Sequence, residues 1–315
     1  MTFPFKNVLV TGGAGFIGSH LTEALLAEGC RVTVLDNLSS GYISNLNSVK
    51  DRINFCRGDI RDLHTVEETA RNCDAIFHLA AMASVPQTVE QPIESTAIND
   101  LGTLHIFEAA RKNDVGCVVF TSSSAVYGDD PQLPKNEKMR PLPLSPYAVQ
   151  KLTGEYYARL YHTLHGMKTT SLRLFNVFGP RQDPSSSYSG VISIFMAKAV
   201  LRSQPTIYGD GTQNRDFIYV KDVVTASLLA AKADDAAGTT INVGTGRSID
   251  INRLWKMISQ MNGLEINPRY RSARPGDILE SVADIQLARY LLGFEPEYSF
   301  EKGLAHTFNW YKTNG

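Results

Sequence analysis

The feature that most constrains this chain is Gly12-Gly-Ala-Gly15-Phe-Ile-Gly18, set between the apolar run Val8-Leu-Val10 and the helical pattern Leu21, Ala24, Leu25. A strand, a glycine turn and a helix in that order leave backbone N–H groups free at the helix N-terminus, a ready seat for a phosphate. Asp36 closes the next apolar run, Val32-Thr-Val-Leu35, 18 residues after Gly18. A carboxylate there suits the adenosine ribose hydroxyls of a dinucleotide and favours NAD over NADP. Glycines also punctuate ordinary turns, and Asp36 opens the turn-like Asp-Asn-Leu-Ser-Ser-Gly41, so the strand–turn–helix context carries the reading.

The same alternation continues along the first half. Apolar runs predict strands over 7–11, 31–35, 53–57, 75–78, 116–121 and 168–174, and amphipathic patterns predict helices over 15–28, 63–71, 92–113 and 146–165. Strands alternating with helices imply a parallel sheet covered on both faces, whose ligands bind at the carboxyl ends of the strands. Thr11, Asp36, Asp59, His78 and Thr121 are expected to close successive strands and to converge there. The second half is less regular. A turn-rich loop, 179–187, precedes a helix near 190–202; 205–212 reads as a short strand and turn; 217–220 and 240–243 read as strands, each followed by a helix. The expected fold is α/β, a doubly wound parallel sheet with a smaller C-terminal substrate lobe. Residues 1–174 form its dinucleotide domain, with returns near 217–243, and 175–315 form most of the lobe.

Composition narrows the function. The formal charge is -1, from 31 basic and 32 acidic residues, so no basic face for nucleic acid or an anionic membrane is expected. Cys30, Cys56, Cys73 and Cys117 lack CxxC or zinc-like spacing and read as free thiols; no metal site is expected. No run of about 18 apolar residues and no signal-peptide pattern is visible, so the expected location is the cytoplasm.

Tyr147 and Lys151 stand at i and i+4 on one predicted helix, one turn apart on the same face. An ammonium nearby favours phenolate and should lower a tyrosine pKa that is ordinarily about 10, making Tyr147 a general base. Alone, this pair is a weak signal, because both residues are common on helix surfaces. With Ser122-Ser123-Ser124 upstream and a dinucleotide turn, it describes oxidation of an alcohol.

These motifs, together with His78-Leu-Ala-Ala81, Ser122-Ser-Ser-Ala-Val-Tyr-Gly128, Ser145-Pro-Tyr-Ala-Val-Gln-Lys151, Phe175-Asn-Val-Phe-Gly179, Asn214-Arg-Asp-Phe217 and Arg274-Pro-Gly-Asp277, resemble the extended short-chain dehydrogenases/reductases, and within them the nucleotide-sugar 4-epimerases. The resemblance implies a Rossmann-type sheet with NAD held by Gly12, Gly15, Phe16, Ile17, Gly18, Asp36 and Asn37. Asp59, Ile60, Leu79, Ala80, Ala81, Asn99, Tyr147 and Lys151 complete the cofactor set. It assigns Tyr147 as the base on the sugar 4-hydroxyl, Lys151 as the bridge to the nicotinamide ribose, and Ser123 as the hydroxyl that relays the proton, a role Ser124 could share. Related 4,6-dehydratases carry acidic residues at the positions of Ser124 and Ala125, and uronate decarboxylases a Glu there; this chain carries neither, which leaves epimerisation.

For the substrate, the resemblance implies Arg215 and Arg274 on the diphosphate, Asn176 on the diphosphate and sugar, Asp277 on the nucleotide ribose, and Val191 and Tyr208 at a uracil ring. Ser84 lies in Ala83-Ser-Val-Pro86, which resembles the subgroup acting on N-acetylhexosamines. Ser281 stands where epimerases restricted to glucose and galactose resemble one another in carrying Tyr, and a small side chain leaves room for a 2-acetamido group. The expected reaction is interconversion of UDP-N-acetylglucosamine (UDP-GlcNAc) and UDP-N-acetylgalactosamine (UDP-GalNAc), with UDP-glucose and UDP-galactose as a further pair. Two alternatives stand beside it: a UDP-glucuronate 4-epimerase using Arg181 on the C6 carboxylate, and a non-catalytic NAD-binding regulator. The helices over 92–113 and 146–165 are where the family resembles a homodimer.

Overall fold

The computed structural model describes residues 3–185, 190–263, 265–273 and 279–314. The strands, in chain order, are β1 (Asn7–Thr11), β2 (Arg31–Asp36), β3 (Ile53–Arg57), β4 (Ala75–His78), β5 (Cys117–Ser123), β6 (Lys168–Leu174) and β7 (Asn176–Phe178). Then come β8 (Thr206–Tyr208), β9 (Asn214–Arg215), β10 (Phe217–Tyr219), β11 (Thr239–Val243), β12 (Ile249–Asp250), β13 (Arg269–Arg271) and β14 (Glu280–Ser281). The helices begin with α1 (Phe16–Ala27), α2 (Leu63–Ala70), α3 (Val85–Glu90), α4 (Pro92–Thr96), α5 (Gly102–Lys112) and α6 (Pro146–His165). They continue with α7 (Val191–Val200), α8 (Val220–Lys232), α9 (Ile251–Met261), α10 (Gln286–Leu292) and α11 (Phe300–Asn314).

Seven strands form one sheet in the order β11-β6-β5-β4-β1-β2-β3, and every pairing in it is parallel. The chain runs from β1 out to β3, then returns to β4 on the other side of β1, so the strand order reverses between them. That reversal opens a crevice above the carboxyl ends of β1 and β4. The central strands are buried on both faces, which is why they read as continuous apolar runs rather than alternating ones. Phe77 and Val119 pack with α1 and α8 residues on one face, and Ile76 and Phe120 with α2, α5 and α6 residues on the other. A third cluster, with Phe178, Phe195, Trp255, Leu304 and Phe308, fills the C-terminal lobe. The lobe's sheets are small: β12-β9-β14, β10-β7 and β13-β8.

Several boundaries differ from the sequence reading, each for a local reason. β5 continues to Ser123, so Thr121 lies inside the strand and the serines belong to its pleat. Asp59 lies in the loop beyond β3 rather than at its end. The helix expected over 92–113 is built of α4, a π-type turn at Ala97–Leu101, and α5. Within that wider turn Asn99 faces inward. Val220 begins α8 instead of ending β10, and β12 intervenes between β11 and α9. Cys30, Cys73 and Cys117 are buried free thiols and Cys56 is half-buried. No helix among the described residues is long and apolar enough to cross a membrane.

Candidate active site

The glycine turn is built to be approached closely. Gly12 has φ +70°, and a Cβ there would lie 2.8 Å from Ala80 N, so both its backbone and its surroundings require glycine. A Cβ on Gly18 would press into Gly12 O, which lets α1 start directly against the turn. Gly15 is the N-cap of α1; no side chain caps it and no acid sits in the first turn, so Phe16, Ile17 and Gly18 open a helix terminus free for an anion. Asp36 Oδ2 accepts from Ala14 N at 2.9 Å and Oδ1 from Leu38 N at 2.8 Å. Burial pushes its carboxyl up, and these two N–H groups oppose the shift. Each oxygen keeps a lone pair for a ribose hydroxyl. Glycine cradle, open helix terminus and buried carboxylate together fit a dinucleotide.

The rest of the expected cofactor wall follows the strand ends. Asn37 Nδ2 donates to Asp59 Oδ2 at 2.8 Å, and the Arg61 guanidinium beside Asp59 holds that carboxyl down at about 2. Ile60 is buried against Gly102. Leu79 N and Ala80 N both donate to Thr11 Oγ1 at 3.2 Å, fixing the Leu79–Ala81 segment over β1. Thr11 Oγ1 also lies 2.7 Å from His78 Nδ1, and burial lowers His78 to about 3, so the ring is neutral. Asn99 Oδ1 accepts from Met82 N at 2.8 Å while its Nδ2 donates to Met82 O and Gln150 Oε1. Its donors are thus committed to protein, and Asn99 shapes this wall by holding Met82.

The residues expected to be catalytic meet where β5 ends beside α6. Ser145 caps α6 by accepting from Ala148 N, Pro146 occupies its first turn, and Gly166 ends it in the left-handed conformation. A Cβ on Gly154 would run into the Phe120 ring, so glycine brings this helix down onto β5. The pleat then separates the serines. Ser122 faces the interior and donates to Glu155 Oε1 at 2.5 Å; Ser123 faces the cleft, within hydrogen-bond reach of the Tyr147 phenol. Ser123 Oγ also accepts from Ala125 N at 3.2 Å, opening the short helical turn that carries Ser124. Lys151 is buried, donates to Thr121 O at 2.7 Å, and stands 5.8 Å from the Tyr147 ring centre.

The electrostatics correct one expectation. Tyr147 is not made acidic by Lys151 here. Protein atoms surround its phenol, although part of the side chain stays open to the cleft, and burial pushes its pKa up; only the Ser123 hydroxyl opposes this. Lys151 itself is lowered to about 8 by burial, with the Glu155 carboxylate holding it from falling further. Beneath them Arg173 pairs with Glu155 through two bonds of 2.8 and 2.7 Å, both side chains being almost fully buried. The i+8 spacing places Glu155 on the same face of α6 as Tyr147, but its partner Arg173 lies on β6, so the pair was not legible in the sequence.

Among the described residues, the expected substrate residues other than Ser84 belong to the elements from β7 onward. Asn176 opens β7 and its Nδ2 donates to Asp216 O at 2.9 Å. Arg215 and Ser281 are paired in register between β9 and β14. Val191 begins α7 and packs against the lobe core, Tyr208 ends β8, and Ser84 caps α3 by accepting from Gln87 N. Arg274 and Asp277 lie outside the described residues. Arg181 is engaged elsewhere: its Nη2 donates to Glu23 Oε1 of α1 at 2.6 Å.

Residues 8–244 match the NAD dependent epimerase/dehydratase family. A UDP-glucose 4-epimerase of Mycolicibacterium smegmatis is 40% identical over 311 residues, covering 97% of this chain and 98% of its own. The UDP-N-acetylglucosamine 4-epimerase of Methanobrevibacter ruminantium M1, solved with UDP-N-acetylmuramic acid, superposes with TM-score 0.94 at 43% identity over 98% of this chain and 99% of its own. The UDP-glucose 4-epimerase of Thermus thermophilus, solved with NAD, superposes with TM-score 0.89 at 37% identity over 98% of this chain and 100% of its own.

Proposed function

The chain belongs to the NAD dependent epimerase/dehydratase family with NAD as its cofactor, and from that footing we propose that it inverts the 4-hydroxyl of UDP-hexoses. UDP-GlcNAc and UDP-GalNAc are its principal pair, and UDP-glucose and UDP-galactose a second. The observation that carries this is the composition of the β5–α6 junction. Ser123 and Tyr147 share one hydrogen-bonding position in the cleft, while Ser124 and Ala125 beside them bear no carboxylate. A hydroxyl can be deprotonated and reprotonated there, but water cannot be eliminated by a paired acid and base.

When bound, NAD supplies the hydride acceptor and donor and, in its oxidised form, a positive charge that favours the Tyr147 phenolate. Tyr147 then takes the proton of the sugar 4-hydroxyl, directly or through Ser123, and returns it once the 4-keto sugar has presented its other face. Lys151, anchored on Thr121 O, would hold the cofactor ribose and keep its ammonium beside the phenol. Arg215, Asn176 and Tyr208, with Arg274 and Asp277, would hold the UDP moiety.

Identities of 40% to a UDP-glucose 4-epimerase and 43% to a UDP-N-acetylglucosamine 4-epimerase support the general reaction equally. The small Ser281, in register with Arg215, favours the acetylated pair because a ring at that position would occupy the same space. The ion pair of Arg181 with Glu23 turns its Nη2 toward α1, while among the described residues its Nη1 is buried without a hydrogen-bond partner, so a uronate 4-epimerase remains the second reading. Replacing Ser281→Tyr tests the choice: turnover of UDP-GlcNAc should fall by about tenfold or more while UDP-glucose turnover is retained, a discrimination of about 1.4 kcal/mol or more. Equal loss on both sugars would contradict it.

A further inference from the structure

Two segments far apart in sequence close over α1. Tyr42, on the stretch that follows β2, donates its hydroxyl to Asp183 Oδ2 at 2.6 Å, and Asp183 belongs to the loop that follows β7. Below that bond, Glu23 of α1 accepts from both sides, from Ser48 Oγ at 2.6 Å and from Arg181 Nη2 at 2.6 Å. His20 Nε2 lies 3.0 Å from Pro180 O, and burial lowers this imidazole to about 4, so it adds no charge beside Arg181. Arg181 is held with φ +69°, a backbone that a side chain of this size keeps only when its surroundings fix it.

The same ring reaches the cofactor cradle. Tyr42 N donates to Ala14 O at 3.0 Å and Asn45 Nδ2 donates to the same oxygen at 2.9 Å, while a Cβ on Gly41 would lie 2.9 Å from Ala14 C. At the other end, a Cβ on Gly179 would meet the Phe16 ring at 3.5 Å. Partial burial works against the ionised form of Asp183. The hydrogen bonds from Tyr42 and Ser185 outweigh it and hold the carboxyl below the usual range. Tyr42 is half exposed, so the phenol–carboxylate bond is kept by geometry rather than by packing around the ring.

We propose that Tyr42 and Asp183, with Glu23 and Arg181 beneath them, form a clasp that retains the cofactor and couples its release to occupancy of the nucleotide-sugar site. Opening the cradle around Ala14 requires the 42–48 stretch to leave the loop after β7. A nucleotide seated against Asn176, on the strand that leads directly into Arg181 and Asp183, restrains that segment and so keeps the clasp shut. Such coupling is reciprocal: bound NAD tightens the nucleotide site by the same factor. The proposal rests on the UDP-sugar reading above, because UDP is the occupant it invokes.

The test is the rate at which purified holoprotein releases NAD after rapid dilution, with and without saturating UDP. Wild-type release should slow several-fold with UDP. Tyr42→Phe and Asp183→Asn should each release NAD about tenfold faster, should lose most of the UDP effect, and should be no worse in combination than singly. Melting of the NAD-free proteins should be unchanged, which separates the clasp from a general loss of structure. Wild-type release rates in the variants, effects that add, or a wild-type release indifferent to UDP would each overturn the proposal. A wild-type protein that binds neither NAD nor UDP would instead remove the functional reading on which it rests.

Discussion

Ser122 and Ser123 differ by one step of the pleat, and that step decides their chemistry. Alternation on β5 sends Ser122 inward to Glu155 and Ser123 out to Tyr147. The family resemblance, aligned on Val126-Tyr-Gly128, is what pointed to Ser123, and the pleat places that serine beside the phenol. The sequence reading misjudged the charge. A cation one helical turn away is visible in Tyr147-x-x-x-Lys151, but burial is not, and here burial pushes the phenol up. Tyr147→Phe should therefore lower turnover by about 10²–10⁴-fold without releasing NAD, measured as sugar interconversion by the holoprotein; retained turnover would remove Tyr147 as the base. The pH dependence follows from Lys151. Its ammonium is the form that donates to Thr121 O and would hold the cofactor ribose, and burial brings its pKa down to about 8. Turnover should fall as pH rises through about 8, and a rate unchanged well above that would show that the ammonium is not required.

At the level of elements, α6 shows why half the fold is readable. Ser145, Pro146 and Gly166 mark its ends in letters whose physics is local: a side-chain cap, a missing N–H and a left-handed residue. The central parallel strands β1, β4 and β5 are equally legible, since burial on both faces makes them largely apolar. The lobe is different. β9, β12 and β14 are each two residues long and exist only because they pair with one another. The helix α11 is masked by Gly303, which is small because a Cβ would lie 2.8 Å from the Phe178 ring. The Glu155–Arg173 pair is likewise a product of packing, joining α6 to β6 beneath Ser122. Because both partners are almost fully buried, Glu155→Ala leaves an unpaired guanidinium and should cost about 3–5 kcal/mol in urea unfolding. A loss under about 1 kcal/mol would mean that Arg173 finds other partners or water.

For the whole molecule, the outer face of the same helix points to assembly. Val149, Tyr156, Leu160 and Leu164 form an exposed stripe on α6, and Ile93 and Leu101 extend the apolar exposure onto α4 and the π-type turn. We propose that a second copy covers this face through the same surface, as a two-fold arrangement requires. Leu160→Asp should convert a dimer to a monomer in sedimentation velocity, while a wild-type monomer would leave the stripe without this role. The sequence pointed to these helices but could not say that their apolar residues remain uncovered within one chain.

The most direct measurement is proton NMR of purified protein incubated separately with UDP-GlcNAc, UDP-glucose and UDP-glucuronate, without added cofactor. Conversion of UDP-GlcNAc to UDP-GalNAc, with slower conversion of UDP-glucose, is the predicted result, and it requires NAD already held in the cradle formed by Gly12, Gly15 and Gly18. Conversion of UDP-glucuronate alone, or no conversion of any sugar even after NAD is supplied, would contradict the proposed reaction.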